Sequence, residues 1–303
     1  MSTGHAWFPS APIVSRPGIA WPGGARLAFG VVVSMEHYEM FPKPGAPMPL
    51  TLPGGFGRGP YPDFRTWSHR EYGNRIGVFR VMEVLDRHGM RATAAMDAGV
   101  ASTRPVIVEQ CLKRNWEIAA HGNAVTQLIS SKLTEAEERA QIAAALEAVA
   151  KASGVRPAGW HGPEYGESAR TPGILAAAGV QYLLDWPNDE LPYAMTTPSG
   201  PLVSMPMLVD FDDVFAHWYR KLTMKRWVQS IADALDQLLE DGRTRPRMLL
   251  VNLHPWLIGQ PWRISYLEEM LRDVKRREGI WLATAGEIQS AWRSQDGFTP
   301  NAS

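Results

Sequence analysis

Seven short apolar runs in this chain each open onto a histidine or a carboxylate, and helix-like stretches separate most of them. RLAFGVVVSM (26–35) leads to Glu36 and His37, RATAAM (91–96) to Asp97, and WEIAA (116–120) to His121. The run ending at Trp160 leads to His161 and Glu164, and VQYLL (180–184) to Asp185, Asn188 and Asp189. PLVSMPMLV (201–209) leads to Asp210, Asp212 and Asp213, and MLLVNL (248–253) to His254. Strands alternating with helices form βαβ crossovers and hence a parallel sheet. When such a sheet closes into a barrel, residues just past the carboxyl ends of different strands meet on one face, where such enzymes do their chemistry. The pattern predicts an α/β barrel with a catalytic end before any motif is considered.

Strands are expected near 26–35, 91–96, 116–120, 156–160, 181–184, 247–253 and 280–283. Helices are expected at 73–88, 103–114, 134–152, 170–178, 223–240, 262–277 and 285–293. Thr134-x-x-Glu137 has the form of a capping box, in which each side chain satisfies the other residue's backbone N–H. No composition break or flexible linker divides the 303 residues, so one catalytic domain over 1–303 is predicted. Residues 1–24, rich in Pro and Gly, read as a wrap around its outside. Segment 38–71 contains FPKPGAPMPLTLPGGFGRGPYPDF, where Pro and Gly recur too often for helix. A loop of that length leaving the first strand is expected to be a lid or pocket wall.

Lys+Arg and Asp+Glu each total 31, so no bulk charge recruits nucleic acid or an anionic membrane. No segment approaches a membrane span, and the first residues lack the apolar stretch of a signal peptide, so a cytoplasmic protein is expected. Cys111 is the single cysteine, which excludes an internal disulfide and a multi-thiolate metal cage. Its setting, VIVEQCL, predicts a buried core thiol.

Glu36 at a strand end is placed to act as a general base toward water. His37 beside it can bind metal, steer Glu36 or line the wall. His121 is followed by Gly122, which permits close approach of backbone or ligand. GWHGPEYGESART (159–171) mixes rigid aromatic walls with directional polar groups, as small-ligand pockets do. His254 can act as an acid, since imidazole changes charge near neutral pH. Phosphate loops, dinucleotide glycine motifs and His-Glu-x-x-His are absent from the sequence.

The order of these segments resembles the polysaccharide deacetylase superfamily over about residues 20–293. REYGNRIGVFRVMEVLDRHGMRAT, EIAAHG, LDWPNDELPY and LHPWLIGQPWRI carry the resemblance. The nearest subgroup holds cofactor-independent allantoinase and similar cyclic-amide hydrolases. The resemblance implies a distorted seven-stranded (β/α) barrel of the polysaccharide deacetylase type. In the family's first motif, Thr-Phe-Asp-Asp-Gly, one Asp is the base and the next binds metal. Ser34-Met35-Glu36-His37 matches it, giving Glu36 the base position and His37 the ligand position. Of the second motif, His-x-x-x-His, His121 supplies the first member, but Val125 stands at the second and cannot ligate.

The resemblance thus implies a hydrolase of non-peptide C–N bonds in a small cyclic or linear amide. Glu36, His121 and His254 are the expected catalytic residues, with His37, Asp97, Trp160, Glu164, Asp185 and Trp186 shaping the substrate pocket. No cofactor is expected. The alternative is zinc or another divalent transition metal on His37 and His121, with Glu164, Asp97 or another strand-end carboxylate as third ligand. The competing functions are a metal-dependent N-acetyl carbohydrate deacetylase and a non-catalytic ligand-binding barrel. A homo-oligomer is implied by analogy with the same subgroup.

Overall fold

The computed structural model describes residues 5–43, 46 and 63–295. Its strands are β1 (Leu27–Met35), β2 (Thr93–Met96), β3 (Glu117–Ala120), β4 (Gly159–Trp160), β5 (Tyr182–Leu183), β6 (Tyr193–Met195), β7 (Leu202–Ser204), β8 (Arg247–Leu253) and β9 (Ile280–Leu282). They form one curled sheet in the order β6-β7-β5-β4-β3-β2-β1-β8, with β9 also paired to β1. All pairings are parallel except β6 with β7. The seven parallel strands from β7 round to β8 carry the seven apolar runs. A parallel bridge from Asp212 to Asn252 links the chain after β7 to β8, completing a distorted α/β barrel.

β1 is the spine of this sheet. All nine of its residues are buried, and it pairs with β8 from Leu27 to Val33. On its other side it meets β9 at its start and β2 at its end. A strand covered on both faces needs a continuous apolar run, which LAFGVVVSM supplies.

The helices are α1 (Phe64–Tyr72), α2 (Val78–Arg87), α3 (Ala98–Thr103), α4 (Pro105–Lys113), α5 (Glu135–Ser153), α6 (Thr171–Ala177), α7 (Met224–Asp241), α8 (Pro255–Ile258), α9 (Ile264–Arg276) and α10 (Ala285–Arg293). The capping box at Thr134 and Glu137 is present, and Thr284 with Glu287 forms a second. Buried Leu, Val and Met from α2, α7 and α9 pack in one continuous core with the strands. Cys111 lies in that core, where burial pushes its thiol up to about 12. No helix of the described residues is long and apolar enough to cross a membrane.

Several expected boundaries change. The helix expected at 103–114 is α4, and a short helix not expected, α3, precedes it; the two are separate because Arg104 adopts φ −129°, ψ 58° ahead of Pro105. The first turn of the helix expected at 73–88 is a π-turn, Gly73–Gly77, running on from α1. Much of the expected lid, 38–71, lies outside the described residues. From Phe64 onward that segment is helix and not loop, capped by the Asp63 carboxylate accepting from Thr66 N at 3.1 Å. β4 is only two residues long, since Pro157 just before it has no N–H for a ladder. Residues 5–24 contact the β6 and β8 sides through Trp7 O, which accepts from Thr196 N, and Trp21 Nε1, which donates to Arg247 O at 2.8 Å.

The π-turn matters because it crosses α8 with no room to spare. A Cβ on Gly77 would stand 2.1 Å from the Pro255 carbonyl oxygen, and one on Gly259 2.4 Å from the same atom. This contact fixes Pro255 and Trp256, the residues that follow His254. Overpacking against backbone costs about 1–3 kcal/mol. Gly77→Ala is therefore expected to lower the unfolding free energy by that amount, read as a lower urea midpoint with the m-value unchanged, and an unaltered midpoint would refute the close-contact account.

Candidate active site

Glu36, His121 and His254 each stand one residue past the carboxyl end of a strand, β1, β3 and β8 respectively. The sheet's curl brings them together around a cavity of about 280 Å³. Glu36 Oε1 lies 3.7 Å from His121 Nε2 and 3.6 Å from His254 Nε2. Its other oxygen accepts from Trp256 Nε1 at 3.2 Å and from Tyr38 OH at 3.3 Å. Asn74, in the π-turn, donates to the Glu36 carbonyl at 2.9 Å and so fixes the backbone. The Arg70 guanidinium sits over the Trp256 ring, 3.3 Å from its centroid, which adds cationic charge behind the carboxylate.

Burial alone would raise the Glu36 pKa, but His254, His121 and Arg70 outweigh it and hold the carboxyl at about 2. For His254, burial acts downward, and the carboxylates of Asp212, Glu36 and Asp213 reverse it, lifting the imidazolium to about 10. Asp213 Oδ1 accepts from His254 Nδ1 at 2.7 Å, and burial brings Asp213 up to about 6 against the pull of that histidine. At pH 7 both partners are charged. Asp212 accepts from Asn252 Nδ2 at 2.8 Å and Tyr165 OH at 3.0 Å, which holds it against the same imidazolium. His121 Nδ1 donates to the His161 carbonyl at 2.7 Å, so its Nε2 edge faces Glu36. Burial works against the His121 proton, yet the carboxylate of Glu36 raises its pKa overall.

Among the residues expected to shape the pocket, Glu164 lines the cavity together with Glu36, His121 and His254. Its backbone, and that of Tyr165, sits in the left-handed region at φ 53° and φ 57°. Such strain persists only where neighbours impose it. The fully buried Glu138 carboxylate does so, accepting from Ser168 Oγ at 2.7 Å and Arg170 Nε at 3.1 Å and tying the loop to α5. Burial, with the Glu36 charge adding to it, raises the Glu164 pKa.

The other five do not line the cavity. His37 turns its ring onto Gly99, because Asp97 captures its backbone N–H and draws that turn behind Glu36. Asp97 is fully buried, caps α3 by accepting from Val100 N at 2.7 Å, and is pushed by burial up to about 7. Trp160 points into the barrel core with no surface exposed. Trp186 packs edge-on against Trp7 and Phe8 outside the cavity, and its neighbour Pro187 forms the wall instead. Asp185 stands behind the wall, accepting from His161 Nδ1 at 2.8 Å and Gly162 N at 2.7 Å. Sequence reasoning placed His161, Asp212 and Asp213 at the ends of apolar runs and Tyr165 in a pocket-like segment, but gave none of them, nor Asn252, a site role. The acidic end of PLVSMPMLV was a usable signal for the two aspartates, since every other run ends at this face. Asn252 gave none, because it is one polar group inside an apolar run.

The family's metal triad does not fit these residues. Val125, at the second histidine position, is buried hydrocarbon, and the His37 ring lies away from the cavity. Among the described residues, the group with ligand atoms close enough for a cation is Asp212, Asp213 and His254. There His254 Nδ1 carries the proton it gives to Asp213, which makes an ion pair and not a ligand set.

The polysaccharide deacetylase family model matches residues 66–183. A curated Schizosaccharomyces pombe protein, provisionally named polysaccharide deacetylase, is 24% identical over 325 residues, covering 97% of this chain and 96% of that protein. A probable polysaccharide deacetylase from Pseudomonas aeruginosa PAO1 superposes with a TM-score of 0.82 at 26% identity, covering 94% of this chain and 97% of the other. PuuE allantoinase superposes with a TM-score of 0.82 at 25% identity, covering 96% of each chain. The resemblance read from the motifs is therefore borne out, and these relatives indicate a hydrolase of carbon–nitrogen bonds other than peptide bonds. The chain thus resembles the polysaccharide deacetylase superfamily, whose family model matches its residues 66–183, and an allantoinase is among its structural neighbours.

Proposed function

We propose that this chain hydrolyses a small cyclic or linear amide, with Glu36 as the base that activates water. The observation that carries the reading is the Glu36 carboxylate standing between two imidazoles at 3.7 and 3.6 Å inside the cavity. Neither distance is a direct hydrogen bond. Both leave Glu36 Oε1 free to accept from a water. A cavity of about 280 Å³ suits one small ring better than several sugar residues.

Glu36 takes a proton from water as the oxygen attacks the amide carbon, and the carbonyl oxygen becomes an oxyanion. The His121 imidazolium, fixed by the His161 carbonyl, stabilises that charge. His254 then gives its proton to the departing nitrogen. A proton affinity near 10 suits that step, because it lies close to the basicity of an amine leaving group. A carboxylate held at about 2 is a weak base in the resting site. The developing oxyanion changes this by competing for the same cations, so the proton affinity of Glu36 rises as the bond forms. The donor set described above supports a route without metal, and no step here passes through one.

Incubation with allantoin, hydantoin and succinimide is expected to give ring opening, and N-acetylglucosamine oligomers no acetate. Faster acetate release than ring opening would overturn the reading. Glu36→Gln is expected to lower kcat/KM at least about 100-fold, within the range of general-base contributions; a loss below tenfold would remove Glu36 from that role.

Exhaustive dialysis against a chelator is expected to leave turnover unchanged, whereas loss restored by added zinc would sink the metal-free route. Protonated His254 is the active form, so activity should fall as pH rises through about 10. Asp213→Asn removes a carboxylate that raises this pKa, and the alkaline limb should move to lower pH. A limb that stays in place would show that another group governs it.

A further inference from the structure

The proposed mechanism uses His121 and His254 but leaves idle a third imidazole in the same wall. His161 lies one residue past β4, lines the cavity, and stacks on His121 with ring centroids 4.7 Å apart. Its Nδ1 faces away from the cavity onto Asp185 Oδ1 at 2.8 Å, an oxygen that also accepts from Gly162 N at 2.7 Å. A carboxylate oxygen facing an imidazole nitrogen can only accept, so the ring proton sits on Nδ1.

Behind Asp185 stands a second carboxyl. Burial of Glu167, together with the Asp185 charge, pushes its pKa up to about 9. Glu167 Oε1 and Asp185 Oδ2 are both buried with no hydrogen-bond partner. Glu167 Oε2 is already taken by Trp186 Nε1 at 2.8 Å. Two adjacent buried negative charges would be far costlier than one, which favours the protonated form of Glu167 beside the Asp185 carboxylate.

We propose that Asp185 locks His161 with its proton on Nδ1 so that Nε2 meets the substrate as a hydrogen-bond acceptor. The acceptor selects amides that carry a free N–H, such as secondary amides and ureides, over fully N-substituted ones. This specificity role rests on the amide-hydrolase reading, whereas the tautomer lock does not. His161 binds and orients in this scheme, and takes no proton during the reaction.

The test has two arms. In nitrogen-15 spectra of the full-length protein at pH 7, His161, identified by its loss in His161→Phe, is expected to show a protonated Nδ1 and a bare Nε2. Glu167→Gln keeps a donor of similar shape against Asp185 and should preserve that signature, while Asp185→Leu should abolish it. A proton on Nε2 of the wild-type ring, or an unchanged ring in Asp185→Leu, would overturn the lock. If Asp185→Leu fails to fold, the wild-type and Glu167→Gln spectra still decide the matter.

In the second arm, hydantoin and 1,3-dimethylhydantoin are titrated into Glu36→Gln protein, which binds without turnover. Hydantoin should shift the His161 Nε2 resonance, and adding His161→Phe should weaken its binding about tenfold, the size of one lost hydrogen bond. Dimethylhydantoin should do neither. Equal weakening of both probes would make His161 a plain wall residue and end the acceptor role. Failure of both probes to bind would overturn the amide reading and the acceptor role with it, while the tautomer result stands separately.

Discussion

The buried carboxylate of Glu36 is the interaction on which the catalytic end of this barrel depends. Taking such a charge out of water costs several kcal/mol even after relaxation, and the site recovers it only because cations surround the group. His254, His121 and Arg70 all lower its pKa, and Trp256 and Tyr38 satisfy the oxygen facing away from the histidines. Each of these partners needs support of its own. Asp212 and Asp213 hold His254, the His161 carbonyl holds His121, and the Trp256 ring lies under Arg70. The result is alternating charge, in which removal of one member exposes the next.

Backbone geometry serves that arrangement. β1 carries Glu36 at the end of a fully buried strand, where it has little freedom to move. The π-turn at Gly73–Gly77 supplies Asn74 to the Glu36 carbonyl and, through Gly77, lets α8 come close enough to present Trp256. π-turns inside helices recur at functional sites because the extra residue redirects side chains. Here the redirected side chain is Asn74, and the glycines flanking it have no Cβ to hold the two helices apart.

Much of this was legible in the sequence because it is periodic. Runs such as RLAFGVVVSM and MLLVNL identify buried parallel strands, and the polar residue ending each run lies at the catalytic face by topology alone. Distance from that face was harder to read. His37 and His121 look alike in sequence, each following an apolar run, yet the capture of the His37 backbone by Asp97 turns one ring outward while the other faces Glu36. Asp185 and Asp97 are at strand ends too, but both spend their oxygens on backbone N–H groups or a histidine behind the wall. Alternation of strand and helix says where a residue is along the barrel; only packing says which way it points. β6 escaped notice for a different reason, since a three-residue antiparallel strand is too short to show a period.

The substitution of Val125 for a histidine gains meaning from the same charge arrangement. Val125 keeps its structural part by donating its backbone N–H to the His37 carbonyl at 3.2 Å, so the turn survives without the ligand. A metal would contribute positive charge beside the base and near the developing oxyanion. In the proposed reaction two imidazolium rings and Arg70 provide charge in the same places, each within reach of Glu36. In that proposed reaction, activity is bounded above by deprotonation of His254, and the acids around that ring set how high the bound lies. In the same scheme Asp212 and Asp213 would act on catalysis through His254, by keeping a proton on the group proposed to give it away.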